Sequence, residues 1–120
     1  MADRVPARVL RKYDRVVSAG DAYDDLQIGP VPPGEQWFVR RVSSVDETTA
    51  ITKRGYAVQT GGALYWLHEE LITTLALRHG CEINTLLVAG ESLIVRLTGC
   101  TNLNVLRAWA TGEYWEVGEE

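Results

Sequence analysis

Two octapeptides, Pro33-Gly34-Glu35-Gln36-Trp37-Phe38-Val39-Arg40 and Ala89-Gly90-Glu91-Ser92-Leu93-Ile94-Val95-Arg96, coincide at Gly, Glu, Val and Arg, and each sets two large apolar residues just before its Val. An offset of 56 residues that occurs once is too long for a stacked solenoid unit. It fits two halves of one all-β domain, each entering a core strand from the same kind of turn. Each Glu should then sit beside its turn, its carboxylate in water or on nearby amides, and each Arg should begin the outward face of its strand. A chain of 120 residues has room for one such domain, which excludes a multidomain enzyme.

The rest of the chain agrees with strands. Gly and Pro cut it into short pieces at Gly20, Gly29-Pro30, Pro32-Pro33-Gly34, Gly55, Gly61-Gly62, Gly80, Gly90, Gly99, Gly112 and Gly118. Residues 37–45 are rich in aromatic and β-branched residues and follow a turn that no helix starts with comfortably. Ser92 to Thr98 alternates, with Leu93, Val95 and Leu97 on one face. Asn104 to Ala110 sets Val105, Arg107 and Trp109 opposite Leu106, Ala108 and Ala110, Glu113 to Val117 adds a short closing piece, and Thr49 to Gln59 adds a strand bent at Gly55. Gly34, Trp37, Val39, Gly90, Leu93, Val95 and Trp109 are the expected fold and core positions.

Residues 63–79 read two ways. Leu64, Leu67, Leu71 and Leu75 have the spacing of an amphipathic helix ending at Gly80. The same stretch reads as strands Leu64 to Glu69 and Thr73 to Arg78 after a Gly61-Gly62 hairpin turn, and the β character of both flanks favours this reading. The expected fold is therefore all-β: a jelly-roll-like two-sheet β-sandwich over residues 28–120, preceded by an extended basic arm over residues 1–27.

That arm is defined by charge. Residues 1–15 set Arg4, Arg8, Arg11, Lys12 and Arg15 against Asp3 and Asp14, a surplus of three positive charges in a chain of net −4, so residues 16–120 carry −7. An acidic body argues against a surface given over to nucleic acid. The arm reads either as a solvated tail or as a segment that docks on an acidic neighbour. No run of 18 apolar residues occurs and the first 20 residues lack an apolar secretory stretch, so neither a membrane span nor classical export is expected. Cys81 and Cys100, without C-x-x-C spacing, read as free buried thiols.

Motifs for catalysis are lacking. There is no phosphate-binding loop, dinucleotide fingerprint, nucleophile elbow or EF-hand loop. His68-Glu69-Glu70 opens like a zinc-protease helix, but the second His that chemistry needs is Ile72. A site from His79, Cys81 and Glu82 with His68 lacks the paired cysteines of soft metal sites. Asp24-Asp25 and Glu69-Glu70 are adjacent doublets, and neighbours on a strand point to opposite faces. Tyr65-Trp66 and Tyr114-Trp115 are not interleaved with Lys or Arg as a base-stacking platform requires, and read as core or subunit contacts. The expectation is a non-enzymatic protein with no metal, cofactor, nucleic acid or membrane.

At Val31-Pro32-Pro33-Gly34-Glu35-Gln36-Trp37-Phe38-Val39 and Leu87-Val88-Ala89-Gly90-Glu91-Ser92-Leu93-Ile94-Val95 the sequence resembles small virion proteins of tailed bacteriophages, with a closing strand at Gly112-Glu113-Tyr114-Trp115-Glu116-Val117. The resemblance covers residues 28–117 and leaves Met1 to Gln27 outside it. It implies a jelly-roll structural part of the particle: a head decoration or minor capsid protein, or a minor tail component, assembled in the host bacterial cytoplasm. The implied partners are the major capsid protein or other virion proteins and further copies of the chain, with trimers as the expected assembly. The basic arm would then lie along neighbouring capsid subunits. A second reading is a receptor- or carbohydrate-binding sandwich, which exposure of Trp66, Trp109 or Trp115 would favour. A cupin-like enzyme shares the jelly-roll shape but would have only His68 and His79 to offer a metal.

Overall fold

The computed structural model describes residues 7–46, 52–71 and 79–117. These form eight strands: β1 Arg8–Val17, β2 Tyr23–Ile28, β3 Glu35–Asp46, β4 Lys53–Thr60, β5 Ala63–Leu71, β6 His79–Val88, β7 Ser92–Thr98 and β8 Val105–Glu116. One sheet has the order β1-β8-β3-β6 and the other β2-β7-β4-β5.

The topology follows from a single turn. Gly61 and Gly62 have φ of 56° and 87°, and Thr60 faces Ala63 across them, which is the two-residue hairpin that only residues tolerant of positive φ form readily. From that tip the two arms of the chain pair outward, β4 with β5, β3 with β6, β2 with β7 and β1 with β8, all antiparallel. The partners stay nearly equidistant in sequence from Gly61-Gly62, as Lys53↔Leu71, Gln36↔Val88, Tyr23↔Thr98 and Arg8↔Tyr114 show. One long hairpin, whose successive pairs fall alternately in the two sheets, is thus closed into a jelly roll.

The two similar octapeptides lie at one end of this sandwich. Gly34 and Gly90 both take positive φ in the turns that precede β3 and β7. Val31 ties the turns together, donating its amide to the Glu91 carbonyl at 2.9 Å and accepting the Gly90 amide at 3.0 Å. Glu91 Oε1 accepts the Val88 amide at 2.9 Å, and Glu35 Oε1 accepts the Trp37 indole N–H at 3.0 Å. The strands then send Trp37, Val39 and Val42 from one sheet, and Leu93, Val95 and Leu97 from the other, into one core with Leu10, Leu26, Ile28, Tyr56, Leu87 and Leu106.

A bulge breaks β3 after Val39, where its ladders to both β6 and β8 slip, and Arg40 and Arg41 both emerge to solvent. Gly112 of β8 lies opposite. A Cβ there would run into the Phe38 carbonyl oxygen, so the crossing needs glycine.

Three expectations change, and the alternative of a helix ending at Gly80 falls. Residues 8–17 and 23–27, read as part of an arm, belong to the edge strands β1 and β2, because Leu10 and Leu26 turn into the core while most of the charged residues between them stay outside. Trp109 is on the outer face, since the inner row of β8 is Leu106, Ala108 and Ala110. β8 runs unbroken through Gly112; β4 continues through Gly55, and its ladder to β5 slips one residue further on, at Tyr56/Ala57. Gly80 belongs to strand β6 and ends no helix. Ala63–Leu71 is a strand, as the β reading had it, whereas the proposed strand Thr73 to Arg78 and the residues at 49–51 lie outside the described residues.

Candidate functional site

The outer face of the β1-β8-β3-β6 sheet collects the basic residues that sequence order scatters. In β1 the odd-numbered side chains face out, and the register sets Tyr13 against Trp109, with Arg15 against Arg107 on one side and Arg11 against Thr111 on the other. The next strand continues the rows, Ser43 beside Trp109 and Arg41 beside Thr111. The Tyr13 and Trp109 rings meet at 5.8 Å, tilted by 45°, so an aromatic pair lies among four arginines from three strands. Among the described residues no ion pair engages Arg11, Arg15 or Arg41. A cleft of about 290 Å³ opens beside Trp109, walled by Arg41, Ser43, Thr111 and Gly80. Val9 and Val17 lie exposed on the same face. Such a surface offers fixed positive charge and flat apolar area together, the composition that desolvated interface centres favour.

The five cations expected to act as one arm are divided. Arg11 and Arg15 belong to this face. Lys12 points the other way, its Nζ 5.1 Å from the centre of the Trp37 ring, where it covers a core residue. Arg8 sits at the rim, 3.8 Å from Glu116, its guanidinium held above the ordinary value by a hydrogen bond with Tyr114 and then by Glu116. Arg4 lies outside the described residues.

The repeated arginines of the octapeptides carry equivalent pairs. Arg40 forks onto Glu113 with Nε–Oε1 2.8 Å and Nη2–Oε2 3.0 Å, and Arg96 forks onto Asp25 at the same two distances. The Arg40 hydrogen bonds hold the Glu113 carboxyl below its usual range. Asp24 turns inward from its neighbour and accepts from Ser18 Oγ at 2.8 Å and the Ala19 amide at 3.0 Å. Glu69 meets Lys53 at 3.2 Å outside, while Glu70 on the opposite face lies 3.7 Å from Arg54 and 3.6 Å from His68. Both acidic doublets are therefore split between faces, as strand geometry requires.

Of the aromatics expected at an interface, Tyr65 is 60% and Trp66 39% exposed, on the second sheet. Tyr114 packs against the core, and Trp115 is half-buried. Cys81 and Cys100 are free thiols, and burial pushes the Cys100 thiol up to about 12. Among the described residues no three His, Cys, Asp or Glu side chains converge as a metal site, and no helix is long and apolar enough to cross a membrane.

No family model matches the chain, and no curated protein matches it. Solved structures with a similar shape include the virus-like particle protein of the giant freshwater prawn Macrobrachium rosenbergii extra small virus, at 15% identity and a TM-score of 0.49, covering 96% of this chain and 80% of that one. The Drosophila NLP core has 10% identity and a TM-score of 0.42 over 84% of this chain and 98% of that one. The carbohydrate-binding module CBM29-2 has 9% identity and a TM-score of 0.42 over 92% and 93%.

Proposed function

We propose that this chain is a non-enzymatic structural protein of a tailed-bacteriophage particle, a head decoration or minor capsid protein that attaches to the capsid and reinforces it. The observation that carries the reading is the arginine-ringed Tyr13–Trp109 face, joined to the motif resemblance at Val31 to Val39 and Leu87 to Val95. The attachment surface is this sheet face and not a separate arm. Its partner is an acidic patch on neighbouring capsid subunits, because Arg11, Arg15 and Arg41, which no carboxylate engages among the described residues, gain most from carboxylates that they can fork. In this reading the chain assembles with copies of itself, as trimers, in the bacterial cytoplasm and remains in the virion.

The test is cosedimentation with empty heads, together with the mass in solution by light scattering. Wild-type protein is expected to bind heads, to weaken as salt rises, and to have three times the chain mass. Arg11→Glu combined with Arg41→Glu should fold and lose head binding. A monomer that ignores heads, or one whose arginine face takes up single-stranded DNA instead, would overturn the proposal.

A further inference from the structure

The opposite face of the sandwich carries a different kind of site. On the β2-β7-β4-β5 sheet, one outer row runs Asp25, Arg96, Gly55, Glu69 from strand to strand. Gly55 sits in a central strand, where glycine weakens the sheet and commonly marks a close approach. Here the approach is by Trp66. A Cβ on Gly55 would lie 2.7 Å from Trp66 Cζ3 and 3.2 Å from Cε3, so the missing side chain is the seat of an indole lying against the sheet. The indole nevertheless stays 39% exposed.

The surroundings of that indole are fixed. The Arg96 guanidinium is pinned by its fork onto Asp25 and lies 3.8 Å from the Tyr23 ring centre and 5.0 Å from that of Trp66. On the other side the Lys53–Glu69 pair closes the row at 3.2 Å. Between them is a groove of about 330 Å³, within the range of small-molecule sites. Two cations, Lys53 and Arg96, and one carboxylate, Glu69, line it, and Asp25 beside the groove balances Arg96 through its fork, so the site has no net charge to attract a phosphate or a polyanion. What it presents is an aromatic surface beside donors and acceptors held in place.

We propose that this groove binds a neutral saccharide, one or two sugar rings in extent, with the C–H face of a ring on Trp66 and its hydroxyls on the free donor and acceptor positions of Lys53, Glu69 and Arg96. Polyhydroxyl ligands suit paired charges, since each ionised group keeps hydrogen-bonding capacity beyond its partner. The proposal goes beyond the capsid reading and stands without it, because attachment uses the other sheet.

The experiment titrates the full chain with soluble glucose, galactose and N-acetylglucosamine oligosaccharides, following the indole N–H resonance of Trp66 and the heat of binding. At least one series is expected to shift that resonance with a Kd near about 1 mM. Trp66→Ala should weaken binding at least about tenfold and Trp66→Phe less, since a ring remains. Gly55→Ala, which unseats the indole, should weaken it too. Arg11→Glu combined with Arg41→Glu should bind sugar normally while losing heads, which separates this site from attachment. No shift with any series at about 10 mM, or equal binding by Trp66→Ala with an unchanged fold by circular dichroism, would overturn the proposal. So would a preference for nucleosides over every sugar.

Discussion

Trp37 and Glu35, two residues apart on one strand, are joined by the indole N–H donating to Oε1 at 3.0 Å, so the buried ring keeps its polar edge satisfied at the rim of the core. The ring itself is 2% exposed, and Lys12 covers it from outside. Removing it leaves a cavity that β-sheets on both sides cannot close. Trp37→Ala is expected to lower unfolding free energy by about 3–5 kcal/mol, measured by urea denaturation. Near-native stability would mean that the inner row of β3 is not the one described.

Gly112 and the Phe38 carbonyl test the bulge in the same way. Any Cβ at position 112 meets backbone, which cannot rotate aside, so Gly112→Ala must part β3 from β8 or move the bulge. A loss of roughly 1–3 kcal/mol is expected, with the Arg40–Glu113 fork disturbed. The carboxyl of Glu113 reports on that fork. Its folded value is depressed by Arg40, so the stability it contributes is present at neutral pH and is lost as pH falls through that depressed value. In Arg40→Gln the carbon-detected titration of Glu113 should return to the ordinary carboxylate range.

The interior charge of Arg54 separates two ideas about buried ion pairs. Its side chain is 1% exposed, burial lowers its affinity for the proton, and Nε and Nη1 have no hydrogen-bond partner among the described residues, with Glu70 3.7 Å from Nη1. Glu70→Gln removes that carboxylate and is expected to cost roughly 1–3 kcal/mol. Arg54→Met replaces the charge with apolar volume and is expected to be neutral or stabilising. Chemical denaturation of the two variants decides it: a larger loss for Arg54→Met than for Glu70→Gln would show that the charge itself holds the sheets together.

How much of this could be read beforehand depends on which strand is considered. β3 and β7 were legible because Trp37, Val39, Leu93 and Val95 alternate with polar residues in strands that enter from Gly-Glu turns. β1 and β2 were not. Each is an edge strand with few core residues, Leu10 in one and Leu26 with Ile28 in the other; in β1 that residue is outnumbered by Arg and Lys facing water, and in β2 the pair follows Asp24-Asp25, so composition reads both as a tail. The arginine-ringed face was hidden for a different reason. Tyr13, Arg41 and Trp109 come from strands far apart in sequence, and only the pairing of β1 and β3 with β8 makes them neighbours. The seat of Trp66 had one visible signal, a glycine in the middle of a strand, which reads equally well as a bend.

The two thiols give the last expectation, and it concerns alkaline pH. Cys100 is buried and Cys81 half-buried, and burial raises both, Cys100 to about 12. A thiol in the unfolded chain ionises near its ordinary value of about 8.5, while the folded Cys100 keeps its proton, so between those values the unfolded state binds fewer protons than the native one. Stability must therefore fall as pH rises from about 8.5 towards the folded value of about 12, and level off above it. Burial pushes Tyr56 up to about 12 as well, which adds to the same limb. Cys100→Ala removes one of these raised groups and is expected to give a shallower alkaline decline, followed by thermal unfolding over that range. In the native wild type at pH 8, a thiol reagent should label Cys81 before Cys100; equal labelling rates would contradict the burial of Cys100 beneath the Leu97 carbonyl, 3.8 Å from its sulfur.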